Sequence, residues 1–164
     1  MNDANFPSAG LQQAIERLAT MPAFLSAAIE AADPGELVFR PGEDGFSLTE
    51  QACHLRDLER EGYLVRVTRV LAENAPALVG FDRTAVAKAR DYLSQDARAA
   101  AREFAAARRE LIALLAPLGD SQLARKAVFG GERITLADLV AMVIDHDRSH
   151  REEIEELLDA MESP

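Results

Sequence analysis

A chain of 164 residues with 48% hydrophobic content and few Gly or Pro is long enough for one globular domain, expected over residues 1–164, and too apolar for disorder. Its 28 acidic against 18 basic side chains give a formal net charge of −10, so contact with a phosphate backbone or an anionic membrane starts from repulsion, and neither nucleic acid nor membrane is an expected partner. One cysteine excludes an internal disulfide and a cysteine-rich zinc site. No apolar run reaches the ~18 residues of a membrane span, and the opening stretch lacks the basic and apolar regions of a signal peptide, so a cytoplasmic location is expected.

The first helical pattern runs from Leu11 to Ala32, with Leu11, Ile15, Leu18, Leu25 and Ile29 among its apolar positions. Pro22 interrupts it and predicts a kink near Thr20 and Met21, or a restart at the proline. Asp33-Pro34-Gly35 ends the pattern, and Glu36 to Gly45, with two Gly-containing turn signals, reads as an exposed connection. Ser47-Leu48-Thr49-Glu50 is a capping box that starts a second helix at about Leu48, with Phe46 as a candidate hydrophobic staple. That helix runs through Ala72 and stops by Pro76, and the stretch after it reads as a long loop. A third, alanine-rich helix carries Ala97, Ala100, Phe104, Leu111 and Leu115 inward and ends at Pro117 and Gly119. Gly130-Gly131 predicts a tight turn between two short β-like fragments, and Thr135 caps the fourth helix with Asp138 in its first turn. Four amphipathic helices without a convincing strand pattern make an all-α four-helix bundle, but the three connections are long enough to leave the order of the helices open.

The fourth helix carries the main functional signal. Leu136, Leu139, Val143, His146, His150, Ile154, Leu157 and Met161 follow steps of three or four, so two of the chain's three histidines lie in its apolar stripe. Two inward imidazoles one turn apart need several polar partners or a metal ion; core histidines satisfied by backbone groups are the alternative. The third, His54, shares a face of the second helix with Leu58 and Val65 at i+4 and i+11. Asp57 and Glu61 lie near its direction and read either as groups that orient an imidazole or as salt-bridging acids. Asp147 reads as an exposed or interhelical acid, and Cys53 as a small buried hydrophobe. Arg148 and Arg151 read as partners of neighbours such as Glu152 and Glu155, or as a clamp for a cofactor carboxylate. Leu64, Val67 and Leu71 form a milder second apolar face, expected to bury in the bundle or in a homodimer.

The Pro-Gly-x-x-Gly-Phe-Ser stretch before the second helix, His54-Leu55, the Arg-rich third helix, Gly130 ahead of Thr135-Leu136, and His146-Asp147-Arg148-Ser149-His150 together resemble the DinB/YfiT-like superfamily of metal-dependent enzymes, over nearly the whole chain. The resemblance implies a four-helix bundle in up-down-down-up order, frequent homodimers, and a divalent metal held by one histidine of the second helix and two of the fourth, here His54, His146 and His150. Where relatives often carry tryptophan ahead of the second helix, this chain has Phe46. Three neutral imidazoles would leave zinc, nickel or iron its full charge and an open position. The resemblance further implies that such an ion activates a low-molecular-weight thiol for S-transfer to a small-molecule substrate. The alternatives are a metal-dependent hydrolase and a non-enzymatic, stress-associated bundle whose metal ties two helices together.

Overall fold

The first predicted helix is divided into α1 (Ser8–Leu18) and α2 (Thr20–Ala31). The computed structural model describes residues 8–163; the stretch 1–7, read above for signal-peptide character, lies outside them. Pro22 accounts for the division, since it has no N–H to return to the carbonyl of Leu18 four residues earlier. That carbonyl is taken up elsewhere: the buried guanidinium of Arg108 donates to it at 2.8 Å.

The connection after α2 contains a short helix, α3 (Pro34–Val38), capped by Asp33, where the sequence suggested only turns. The Ser47/Glu50 capping box then opens α4 (Leu48–Asp57), with Glu50 N–H donating to Ser47 Oγ at 3.2 Å and Ser47 N–H to Glu50 Oε2 at 2.9 Å. The second helix continues through a π-helical segment (Leu58–Tyr63) into α5 (Leu64–Ala72). The π segment corrects one expectation. Its wider turn lags the α-helical phase, so Val65, which strict helical spacing puts on the face of His54, is instead 46% exposed, while Tyr63, Val67 and Val70 are buried.

The predicted loop that follows is structured: β1 (Ala77–Leu78), α6 (Arg83–Ala89) and a 3₁₀ turn (Tyr92–Ser94) lead to α7 (Ala97–Leu115). After α7 come α8 (Asp120–Leu123), the hairpin β2 (Lys126–Phe129) and β3 (Glu132–Thr135), and α9 (Leu136–Glu162), opened by the Thr135/Asp138 capping box. Gly130 and Gly131 have φ of 59° and 81°, the two positive values a two-residue hairpin turn requires. β1 pairs in parallel with β2, Ala77 opposite Val128, and β2 antiparallel with β3, in the order β1-β2-β3.

The core resolves the helix order that spacing left open. One cluster joins Leu11 and Leu18 of α1, Val67 and Val70 of α5, Leu111 and Leu115 of α7, and Leu136 to Val143 of α9. A second joins Leu25 and Ile29 of α2, Leu48 and Leu55 of α4, Ala97 to Phe104 of α7, and Ile154 and Leu157 of α9. The first and fourth long helices therefore run from the first cluster to the second, and the other two run back: up-down-down-up. The stretch from Glu73 to Asp96 must return the chain along the length of the bundle, which explains why it is long and carries its own elements.

Between the two clusters the four helices meet in a polar knot. Arg108 Nε and Nη2 donate to Glu59 at 2.5 and 3.1 Å, and Nη1 and Nη2 to Asp147 at 2.6 and 2.9 Å, beside the bond to Leu18. Two carboxylates surround one guanidinium in a dry place, and burial raises the pKa of both Glu59 and Asp147. Arg108 and Glu59 are each 1% exposed.

Candidate metal centre

α4 brings His54, and α9 brings His146 and His150, to the wall of a cavity of about 350 Å³ that Tyr63, Phe81, Phe129 and Met142 also line. The ring centroids lie 4.2 Å apart for His146 and His150, 4.7 Å for His54 and His150, and 5.5 Å for His54 and His146. One ring nitrogen from each lies within 4.8 Å of the others. The Nε2 atoms of His54 and His146 are 3.4 Å apart. Two nitrogens each ~2.0–2.1 Å from one tetrahedral ion stand about 3.3–3.4 Å apart, so this pair has the spacing of two ligands of one ion.

The electrostatics keep all three rings neutral. Burial, followed by the neighbouring imidazoles, holds His54 at about 2 and His146 at about 3; burial, opposed by Glu153, holds His150 at about 4. Neutral rings offer lone pairs rather than charge. For His150 the tautomer is set: Nδ1–H donates to Gln51 Oε1 at 2.7 Å, which leaves the Nε2 lone pair free. Gln51 in turn donates to Glu153 Oε2 at 2.7 Å, and Arg83 clamps both oxygens of Glu153 at 3.0 and 2.9 Å. These contacts hold Glu153 ionised, its pKa lowered against the opposing effect of burial. His54 is positioned by packing instead. Its ring lies 6.0 Å from Phe46 and 6.1 Å from Phe81, and its Nδ1 is buried without a hydrogen-bond partner among the described residues.

A direct Nε2–H···Nε2 bond between His54 and His146 would satisfy that pair, but it would give the lone pair of His150 nothing to bind. The donor set, three converging neutral imidazoles, fits a divalent metal that accepts nitrogen ligands.

The other residues read from the sequence divide clearly. Asp57 accepts from Tyr92 Oη at 2.6 Å, Arg56 Nε at 2.7 Å and Arg90 Nη1 at 2.9 Å, and Glu61 pairs with Arg90, so the two hold the crossover against α4 and the π segment and touch no imidazole. Asp147 is interhelical, in the knot with Arg108. Cys53 is fully buried with its thiol pushed up to about 11 by burial, a packing residue. Arg148 and Arg151 correct the expectation of pairing with Glu152 and Glu155: Arg148 pairs with Asp145 at 3.1 Å, and Arg151 lies 4.2 Å over the ring of Phe24, away from the histidine cavity. Phe46, read as a staple, packs against His54 and under Arg83, whose guanidinium lies 4.1 Å from its centroid.

Sequence reasoning missed Glu153, Arg83 and Arg66 at this cavity and Gln51 behind His150. Gln51 precedes His54 by three and Glu153 follows His150 by three, the spacing of same-face neighbours, so those two carried a signal. Arg66 and Arg83 carried none, because the π segment and the folded crossover decide where they sit.

A family model described as the DinB superfamily matches residues 17–154. No curated protein matches the chain. Among solved structures, YfiT from Bacillus subtilis, described as a probable metal-dependent hydrolase with an unusual four-helix bundle topology, aligns with a TM-score of 0.85 and 25% identity over 92% of this chain and 87% of that one.

Proposed function

The chain belongs to the DinB superfamily, and from that premise we propose that His54, His146 and His150 hold one divalent metal ion, zinc, nickel or iron, in a small-molecule enzyme. The observation that carries the reading is the convergence of three neutral imidazoles, one nitrogen each within 4.8 Å, on the wall of a cavity. An ion bound by three neutral nitrogens keeps its charge and an open position, and supplies the Lewis acidity that deprotonates a nucleophile near neutral pH. Around it the protein orients a ligand: Gln51 fixes the tautomer of His150, and Tyr63, Phe81 and Phe129 line the cavity beside Arg66, Arg83 and Glu153.

The nucleophile we favour is a low-molecular-weight thiol, in S-transfer. The carboxylate on the cavity wall, Glu153, is bound by Arg83 and Gln51 and is not free to work as a base for water, whereas a thiol, intrinsically far more acidic than water, would need no base beyond the Lewis acidity that an ion held by the three histidines would supply. Hydrolysis is the second reading, supported by the likeness to YfiT, described as a probable metal-dependent hydrolase. No helix among the described residues is long and apolar enough to cross a membrane, and a cytoplasmic location in a thiol-rich compartment belongs to the same proposal. So does a homodimer. A groove of about 670 Å³ between α5 and α7, lined by Leu64, Val65 and Leu114, is the face we assign to it.

Metal analysis of untagged protein purified without added metal tests the site. Near-stoichiometric metal, lost in His150→Ala with helical content retained, is the expected result; His150→Ala that lowers the melting temperature with metal content unchanged would make the histidines core fillers. Turnover of an electrophile with thiol, and only with thiol, then separates S-transfer from hydrolysis. No turnover of either kind, with a fourth protein ligand closing the site, would leave a structural metal.

A further inference from the structure

Arg66 is out of place in so acidic a chain. It comes from α5, lies over the rings of Tyr63 at 5.4 Å and Phe129 at 4.7 Å, is only 5% exposed, and lines the same cavity as the three histidines. Its guanidinium donates Nε–H and one Nη2–H to the carbonyl of Val79, at 3.2 and 3.0 Å. A guanidinium has five N–H groups, so three remain unspent, and among the described residues no carboxylate pairs with it. Burial lowers its pKa, with only the Tyr63 phenol acting against that.

The other arginines near the histidines behave differently. Arg83, on the same cavity, is neutralised by a bidentate Glu153, and Arg108, deeper in the bundle, has two carboxylates. A buried cation without a counter-ion is costly in a chain that carries ten excess negative charges. Its planar fork matches a carboxylate or phosphate group, and a divalent ion on the histidines would add to the positive charge of the cavity.

We infer that Arg66 is the anion-recognition residue of this cavity and that the substrate is a small organic molecule bearing a carboxylate or phosphate group, with an apolar body against Phe81, Phe129 and Met142. The inference rests on the proposal that the histidine cavity is the substrate site. The volume of about 350 Å³ limits the molecule to a compact one, near the lower end of small-molecule pockets. Arg66 also pins the crossover through Val79, so a purely structural role is the competing explanation.

The test uses the full-length metal-free protein at low ionic strength, titrated with benzoate, phenylphosphonate and the uncharged isostere benzamide. Binding is followed by calorimetry and by the Nε–H resonance of Arg66. At least one anion should bind on the order of 10–100-fold more tightly than benzamide, the usual worth of a charge-assisted hydrogen bond, and should shift the Arg66 resonance where benzamide does not. Whichever anion binds better identifies the carboxylate or phosphate class. The preference should vanish in Arg66→Gln and persist in weakened form in Arg66→Lys, which keeps the charge if the glutamine variant does not fold. Benzamide binding as well as the anions, a preference that survives Arg66→Gln, or no anion binding at 10 mM, roughly the weak limit for a single charged contact, would overturn the inference. Zinc uptake is measured separately on the same protein. A chain that prefers anions through Arg66 but takes no metal loses only the metal reading, and one that takes metal without an anion preference loses only this inference.

Discussion

Arg108→Met probes the knot on which all four helices depend. The substitution keeps most of the side-chain length and removes the charge, leaving Glu59 and Asp147 buried without a cation and the Leu18 carbonyl without a donor. Removing one partner of a buried ion pair costs about 3–5 kcal/mol, and an orphaned buried acceptor about 1–3 kcal/mol. Because the two losses share one site they are not fully additive, and a total of roughly 4–6 kcal/mol is expected. In a chain of this size that lowers the melting temperature by roughly 10–20 °C. Urea denaturation read by far-UV circular dichroism measures the free energy directly. The deficit should also depend on pH. Glu59 and Asp147 already have raised pKa values in the fold, and without Arg108 they rise further. Acids raised on folding bind protons in the native state that the unfolded state has released, so stability falls as pH rises above the unfolded value near 4. The Arg108→Met deficit should therefore be smaller at pH 5 than at pH 8. A companion chain carrying Arg108→Met, Glu59→Gln and Asp147→Asn should recover most of the loss, since no charge is left buried. A deficit under about 1 kcal/mol for Arg108→Met alone, or one independent of pH, would refute the reasoning.

Two further outcomes follow from the same physics. The metal-free protein should lose stability on mild acidification, because histidines held at about 2, 3 and 4 in the fold titrate near 6.5 when unfolded. The stabilising difference is complete above pH 6.5 and is lost as pH falls below it, by on the order of 1–2 kcal/mol per histidine by pH 5. The lowered carboxylates, among them Glu50, Asp57 and Glu153, act only near and below their unfolded values close to 4, while the raised acids Glu59 and Asp147 oppose the loss on acidification, so the histidine contribution between pH 6.5 and 5 is read as the difference between wild type and a histidine variant. His54→Gln should reduce the loss on acidification relative to wild type, and a variant whose denaturation midpoint follows pH as the wild type does across the window would contradict it. Light scattering at tens of micromolar, the rough range of weak dimers, should report a dimer that Val65→Glu, in the groove between α5 and α7, converts to monomer. A wild-type chain that is strictly monomeric at that concentration would remove the dimer from the proposal.

Local physics, which needs only neighbours along the chain, was legible in the sequence. The Ser47/Glu50 and Thr135/Asp138 capping boxes, the break near Pro22, the Gly130-Gly131 turn and the apolar stripe of α9 each depend on residues within about one turn of one another. The inward direction of His146 and His150 came with that stripe, and His54 followed because α4 is regular up to Asp57. The up-down-down-up order did not come from spacing; it was expected only through family resemblance, and the packing of the two core clusters carries it independently. Beyond Asp57 the α-helical wheel misleads, because the π segment Leu58–Tyr63 shifts the phase: Val65 is turned out to solvent, and Arg66 is carried into the cavity. Arg108 shows the same division. Pro22 announces that a carbonyl at Leu18 will lack its helical partner, but nothing along the chain says that a guanidinium ninety residues later will supply the hydrogen. Side-chain partners so far apart in sequence are chosen by the packing of whole helices, and so the tertiary structure alone decided which cations were neutralised and that Arg66 lines the histidine cavity without a carboxylate partner among the described residues.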